Sequence, residues 1–258
     1  MEYETLLYEV EGETGILTLN RPRVVNAVNK RMLDELNHFW KERQEDGAVR
    51  VIIVLGAGEK GFCSGLDMKA AGTEFHQGIP TARSVFEGQR GFSRIIHLMR
   101  SCPQPLIAAV HGPAMGAGLS FALACDIRLA SEDAMFCAQY INIGTGGADM
   151  GSSFFLPRIV GWGRAAQMCL TGERVFAEEA LRIGLVNRVL SREELMPAAL
   201  EMARVMCSKN PLGLRLTKDA FNAALNGSSL EDALRMEDRN QALIISNGIT
   251  EGLPGLGT

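Results

Sequence analysis

Apolar residues run along this chain in two rhythms, and the rhythms predict its elements. Val51–Leu55 (VIIVL) and Leu106–Val110 (LIAAV) are short and continuously apolar, as strands are when both faces of a parallel sheet are covered. Leu6–Val10 and Gly15–Leu19 predict a strand pair that turns at Gly12 and stops at Asn20-Arg21-Pro22. Helical spacing takes over after Asn29, a cap residue. Met32, Leu33, Leu36, Phe39 and Trp40 mark one face of a helix predicted from Lys30 to about Asp46. Residues 70–82, AAGTEFHQGIPTA, are broken by Gly and Pro and read as a loop, with a helix after it to about Arg100. The strand at 106–110 leads into a tight turn (His111-Gly112-Pro113), a glycine-spaced run (Gly116-Ala117-Gly118) and an apolar helix.

Beyond that helix, Asp126–Ala130 and Ala134–Phe136 predict short strands, and 139–151 (QYINIGTGGADMG) a glycine-rich loop. Ser152–Val160 predicts a short helix closed near Gly161. Val175–Ile183 reads as a helix with Gly184 at its C-terminal end. Ser191-x-x-Glu194 is a capping box that opens a helix to about Cys207. Pro211 and a second box, Ser229-x-x-Asp232, open two more helices. The last residues, ISNGITEGLPGLGT, are glycine-rich and read as a disordered end.

Composition narrows the class. The 258 residues suffice for one large domain or a domain with an appendage. Hydrophobic residues at 47% and charged residues at 22% fit a globular chain. Lys and Arg number 26 against 30 Asp and Glu, a net charge of −4 that argues against general nucleic-acid binding. The start, Met1-Glu2-Tyr3-Glu4, is acidic where a secretion signal is basic, and no run is long and apolar enough to span a membrane. A cytoplasmic location is the expectation. The six cysteines form no CxxC pair and read as reduced, mostly core residues. The four histidines show no metal spacing, so no metal is expected, and His111 reads as a packed turn residue.

The candidate chemistry lies where strand passes through glycines into helix. A helix start leaves N–H groups unpaired, and Gly116 and Gly118 let another group approach the backbone. Such a place suits a developing negative charge. The plainer reading is that these glycines only let helix and strand pack closely. The stretch FCSGLDMK (62–69) changes the balance. With HGPAMGAGLSFALACDIRLA (111–130), LTLNRPRVVNAVN (17–29) and LPRIVGWGRAAQMCLTGERVFAEEALRIGLVNRV (156–189), it closely resembles the signature segments of the enoyl-CoA hydratase/isomerase (crotonase) superfamily, in the right order.

The resemblance implies an α/β fold, a spiral of ββα units, over about residues 1–190. A helical region, 191–258, would pack in trimers or pairs of trimers. It implies an acyl-CoA thioester as substrate, with no further cofactor, since coenzyme A is part of that substrate. It places two carbonyl-polarising N–H groups at Leu66 and Ala117. It places thioester and coenzyme contacts at Val25, Ala27, Ser64, Leu66, Asp67, Met68, Lys69, Gly116 and Ala117. Lys69 would meet a phosphate or stand as a solvated surface lysine. The two glutamates of typical hydratases are absent, with Ser120 and Tyr140 in their positions. One carboxylate remains in that loop, Asp149, at a position where dienoyl-CoA isomerases shuttle a proton and 4-chlorobenzoyl-CoA dehalogenase has its nucleophile. Asp149 is therefore the expected general acid/base, with Ser120 and Tyr140 as lesser candidates. Three alternatives stay open. Asp149 could be a nucleophile or water activator for dehalogenation, hydrolysis or C–C cleavage. The chain could bind a CoA ester without converting it. Asp149 could merely cap a helix starting near Met150. Glu74, His76 and Glu87, in or after the 70–82 loop, are further groups within conceivable reach.

Overall fold

The computed structural model describes residues 2–74, 81–227 and 229–251. Its frame is a six-stranded sheet. β1 (Leu6–Glu11) pairs antiparallel with β2 (Thr14–Leu19). Then β3 (Val51–Gly56), β4 (Leu106–Val110), β6 (Ile127–Ser131) and β9 (Arg188–Leu190) follow in parallel, in that spatial order. A second, small sheet holds β5 (Pro113–Met115), β7 (Met135–Cys137) and β8 (Arg174–Phe176), in the order β5-β7-β8. Isolated bridges Val28–Leu66 and Cys63–Ala114 extend this second layer. The chain thus winds repeatedly from main sheet to small layer to helix.

The continuously apolar strands are buried on both faces, and alternate residues go opposite ways. Val51, Ile53, Ile107, Ala109 and Leu129 pack on Leu195, Ala199 and Ala203 of α8 (Arg192–Cys207). Ile52, Val54, Leu106, Ala108 and Val110 join the larger core. There they share space with Phe39 and Trp40 of α1 (Lys30–Arg43), Ile95 and Met99 of α3 (Ala82–Ser101), and α4 (Ala117–Ala124). Every residue of α4 is buried, so it is apolar all round, as a fully enclosed helix must be.

Several expectations are corrected. α1 stops at Arg43, short of Asp46, because the Asp46 carboxylate accepts from the N–H groups of Ala48 (2.9 Å) and Val49 (3.2 Å) and turns the chain toward β3. The expected loop 70–82 begins as a helix, α2 (Met68–Glu74). Asp67 nucleates it by accepting from Lys69 N (3.1 Å) and Ala70 N (3.3 Å). The remainder of that stretch to residue 80, including His76, lies outside the described residues. Helix α5 (Ser152–Val160) is as expected, and α6 (Trp162–Thr171) follows it across Gly161. Arg174–Phe176 is strand, paired antiparallel with β7, and only then does α7 (Ala177–Arg182) begin. The capping boxes hold, with Glu194 N donating to Ser191 Oγ and Asp232 N to Ser229 Oγ. They open α8 and α10 (Leu230–Glu251), with α9 (Pro211–Asn226) between them. α10 carries regular helix through Ile245–Glu251, where a disordered end was expected. Residues 252–258 lie outside the described set.

Candidate active site

The segment 63–66 runs beside 113–116, with Cys63 N donating to Pro113 O and Met115 N to Cys63 O, both at 2.9 Å. Glycine makes the approach possible. A Cβ on Gly118 would sit 2.2 Å from Cys63 O, and one on Gly65 (φ +94°) would sit 2.8 Å from Met115 O. Close packing thus holds at Gly118, while Gly116 meets only ordinary contacts beside Tyr140, and the close approach has a chemical consequence. The same Gly65 Cβ position is 3.6 Å from Ala117 N, so close packing brings the main chains of 65–66 and 117 together. Ala117 is the first residue of α4, whose N-cap Gly116 offers no side-chain acceptor. Among the described residues, no hydrogen bond occupies the N–H of Leu66 or of Ala117. Two free donors at a helix start in a tight, largely buried junction favour negative charge.

The first motif supports this junction from behind. Asn26 is fully buried and in the left-handed region (φ +54°). Its Nδ2 donates to the carbonyls of Ala57, Gly61 and Phe62, and its Oδ1 accepts from Arg21 N. Val25, also left-handed (φ +52°), accepts from Ser64 N at 2.9 Å. A β-branched residue in that region marks real backbone strain. Ala27 is buried, and its carbonyl accepts from Arg21 Nη1. Arg21 also bonds Asp67 Oδ2 at 2.9 Å. Asp67 is therefore spent on Arg21 and on the start of α2. Burial acts to raise its pKa, but the bonds from Arg21, Ala70 N and Lys69 N outweigh burial and hold it below the usual carboxylate range. Ser64 Oγ donates to Val24 O at 3.2 Å, while Met68 and Lys69 are exposed on α2. Neither Arg21 nor Asn26 stood out in the sequence, since Asn26 acts on backbone carbonyls over thirty residues away and Arg21 on the carboxylate of Asp67, 46 residues on.

The other side of the site is made of side chains. Ser120, on α4, and Tyr140 are both buried, and their hydroxyls bond each other at 2.7 Å. Burial pushes the Tyr140 phenol far above its usual range, and its bond with Ser120 only partly opposes this. Tyr140 stays neutral and cannot serve as a base at ordinary pH. Ser120 Oγ also reaches the main-chain carbonyl of Asp149 (3.4 Å), and Tyr140 lies against Gly116. Ala117, Ser120, Tyr140 and Asp149 are thus linked around one short helix.

Asp149 does not cap a helix at Met150. The helix starts at Ser152 with Gly151 as its cap, and Met150 is left-handed (φ +45°). The turn is pinned at both ends, with Asp149 N donating to Ser152 Oγ (3.0 Å) and Ser152 N to Asp149 O (2.9 Å). Asp149 Oδ1 accepts from Met150 N (2.6 Å) and from Gln89 Nε2 of α3 (2.5 Å). Gln89 was missed in the sequence, while nearby Glu87 bonds Arg83. His111 is buried and held on Gly58 O (2.9 Å), and burial lowers its pKa, so it packs as a neutral turn residue.

Two cavities, of about 690 and 580 Å³, lie elsewhere, between α3, α5 and α9. Their central cation, buried Lys218, is already bonded to Asp126 (3.1 Å) and Gln104 O (2.7 Å). Neither contains a residue of the Leu66–Ala117–Asp149 constellation. Among the described residues, no helix is long and apolar enough to cross a membrane, and no group of three His, Cys, Asp or Glu could hold a metal ion.

Residues 9–255 match the family model for enoyl-CoA hydratase/isomerase. Over 233 residues the chain is 38% identical to the protein named probable enoyl-CoA hydratase EchA12 of Mycobacterium tuberculosis, covering 90% of this chain and 81% of that one. Over 241 residues it is 37% identical to the short-chain-enoyl-CoA hydratase of Clostridium acetobutylicum, covering 92% and 88%. The crystal structure of a probable enoyl-CoA hydratase/isomerase from Mycobacterium abscessus superposes with a TM-score of 0.86 at 34% identity, over 93% of this chain and 90% of that one.

Proposed function

Because the chain belongs to the enoyl-CoA hydratase/isomerase family, and so to the crotonase superfamily, we propose that it acts on an acyl-CoA thioester. In this reading the N–H groups of Leu66 and Ala117 polarise the thioester carbonyl, and Asp149 is the general acid/base. Taking a proton from carbon next to the thioester conjugation sends the C–H electron pair toward the carbonyl oxygen. Two fixed amides there stabilise the enolate, and losing one costs about 3 kcal/mol of transition-state stabilisation. Asp149 takes the proton and returns it. The observation that carries this reading is the state of the three candidate side chains. Ser120 and Tyr140 are buried and bonded to each other, whereas Asp149 keeps one carboxylate oxygen without a protein donor among the described residues. One carboxylate suits a proton shuttle between two carbons, and Ser120 and Tyr140 serve to orient it.

Val25, Ala27, Ser64, Met68 and Gly116, with the backbone of Asp67, line the thioester and coenzyme in this reading. Exposed Lys69 meets a phosphate. Coenzyme A enters as part of the substrate. The apolar residues exposed on α9 and α10 (Phe221, Leu230, Leu234, Leu243, Ile245) support assembly into trimers or pairs of trimers. Light scattering would then give three or six times the 28.0 kDa chain mass.

The test is a panel of CoA thioesters (saturated, 2-enoyl, 3-enoyl, dienoyl and aromatic, with 4-chlorobenzoyl-CoA among the aromatic esters) incubated in heavy water with wild type and Asp149→Asn, each ester followed by mass. Deuterium gain with an isomer shift, or gain of water, in the wild type alone supports Asp149 as acid/base. Turnover that survives in Asp149→Asn removes it. Halide loss or free coenzyme A would transfer Asp149 to nucleophilic or hydrolytic chemistry. Binding without conversion of any ester would leave a CoA-ester binding protein.

A further inference from the structure

The two oxygens of the Asp149 carboxylate stand in different states. Oδ1 accepts from Met150 N at 2.6 Å and from Gln89 Nε2 at 2.5 Å. Oδ2 has no donor among the described residues. Met150 itself is in the left-handed region (φ +45°), a conformation that a side chain adopts at some cost. Gln89 comes from a different element, α3, and is half-buried. An oxygen whose lone pairs already hold two donors is the poorer proton acceptor, and its unbonded twin is the better one.

We infer that Gln89 is a positioning residue that, with the Met150 amide, anchors Oδ1 and assigns proton transfer to Oδ2. The inference rests on Asp149 being the acid/base. In the forward step the substrate C–H bond breaks, the proton forms a bond to Oδ2, and the electron pair moves to the thioester oxygen as an enolate. In the return step the Oδ2–H bond breaks and the proton goes to carbon. Oδ1 is an acceptor in the carboxylate and in the acid, so the anchor survives both. A neutral amide is suited to this, since it neither locks the anion as a cation would nor competes for the proton as a second carboxylate would. Among the described residues, Asp149 forms no ion pair with a Lys, Arg or His, and the titratable side chain coupled to it is buried, neutral Tyr140.

The test uses 3-hexenoyl-CoA as probe. Gln89→Leu, which removes the donor to Oδ1, lowers kcat about 10–100-fold and leaves KM within about threefold. Gln89→Glu lowers kcat at least as far, because a carboxylate there repels the Asp149 carboxylate instead of anchoring it. The ¹³C carboxyl resonance of Asp149 in the free protein at neutral pH, assigned by its absence in Asp149→Asn, moves in Gln89→Leu because Oδ1 has lost a donor. An unchanged kcat, a loss confined to KM or an unmoved resonance overturns the inference. The proposed function is judged apart, by Asp149→Asn. If that variant keeps wild-type turnover, the acid/base reading falls whatever Gln89 does. If it is inactive while Gln89→Leu leaves kcat and the resonance unchanged, only the Gln89 inference falls.

Discussion

The junction of 63–66 with 115–118 and the turn at 149–152 both touch α4, yet they are built from different materials. The junction is main chain held by glycine contacts and by Asn26 carbonyl bonds, and its candidate donors are amides. Any side chain that folds there leaves those donors in place, which is why Leu66 and Ala117 can carry the side chains they do. The turn is the reverse. Its chemistry depends on the identity of Ser120, Tyr140, Asp149 and Gln89, each reporting to another side chain or to the turn itself. Under the proposed function, a fold built this way keeps its anion-stabilising half while its proton-moving half changes by substitution, and Ser120 and Tyr140, where the resemblance implies glutamates, are the proposed place of such a change.

The sharpest way to break the comparison is to disturb the junction alone. Gly65→Ala, outside α4, puts a Cβ 2.8 Å from the main-chain oxygen of Met115 at a φ of +94°. The 64–66 segment must move from 115–117, and turnover should fall about 100–1,000-fold, the effect of losing one oxyanion donor. The Asp149 carboxyl resonance should stay unchanged. If that resonance moves while turnover holds, the two halves are not independent. Asn26→Ala comes next. It strips donors from three carbonyls and should cost roughly 2–3 kcal/mol in urea unfolding. A loss under about 0.5 kcal/mol would show that these carbonyls find other donors.

The same division explains what could be read from the sequence. Gly116 and Gly118 were legible as glycines that let another group approach the backbone; Gly118 stands at such an approach, Gly116 at a positive φ (+52°) with ordinary contacts around it, and Gly65 carried no such reading. The parallel strands were legible because burial on both faces leaves a continuous apolar run. Asp149 could be picked out, but Gln89, 60 residues earlier, could not, since its meaning depends on a rotamer reaching across from α3. The three-residue strands β5, β8 and β9 exist through long-range pairing and carry no local pattern. Helix α6 is masked by Gly161 and Gly163, and α2 by the glycine and threonine that follow its alanines.

Within the proton side, the Ser120–Tyr140 pair offers a finer cut. Ser120→Ala or Tyr140→Phe leaves the partner hydroxyl buried without its bond and should cost roughly 1–2 kcal/mol each. The double variant should recover part of that sum, because no orphan hydroxyl remains. Strict additivity in the unfolding cycle would mean that the 2.7 Å contact carries no coupling.

The smallest effect tests whether the junction uses charge at all. Asp67→Asn keeps an oxygen to cap α2 and removes only the charge opposite Arg21, so it should cost about 1 kcal/mol at neutral pH. The folded-state pKa of Asp67 is lowered, because the donors around it outweigh its burial. Its contribution is therefore fully present above the ordinary carboxylate value of about 4 and is lost as pH falls through the lower folded value. The stability gap between wild type and Asp67→Asn should be flat from neutral pH down to about pH 5, then close in acid. Added salt should narrow it only slightly, since the pair is mostly buried. A gap that closes near pH 6, or vanishes in moderate salt, would assign it to exposed long-range charge. The junction would then be held by its main-chain bonds alone, in sharper contrast to the Asp149 side.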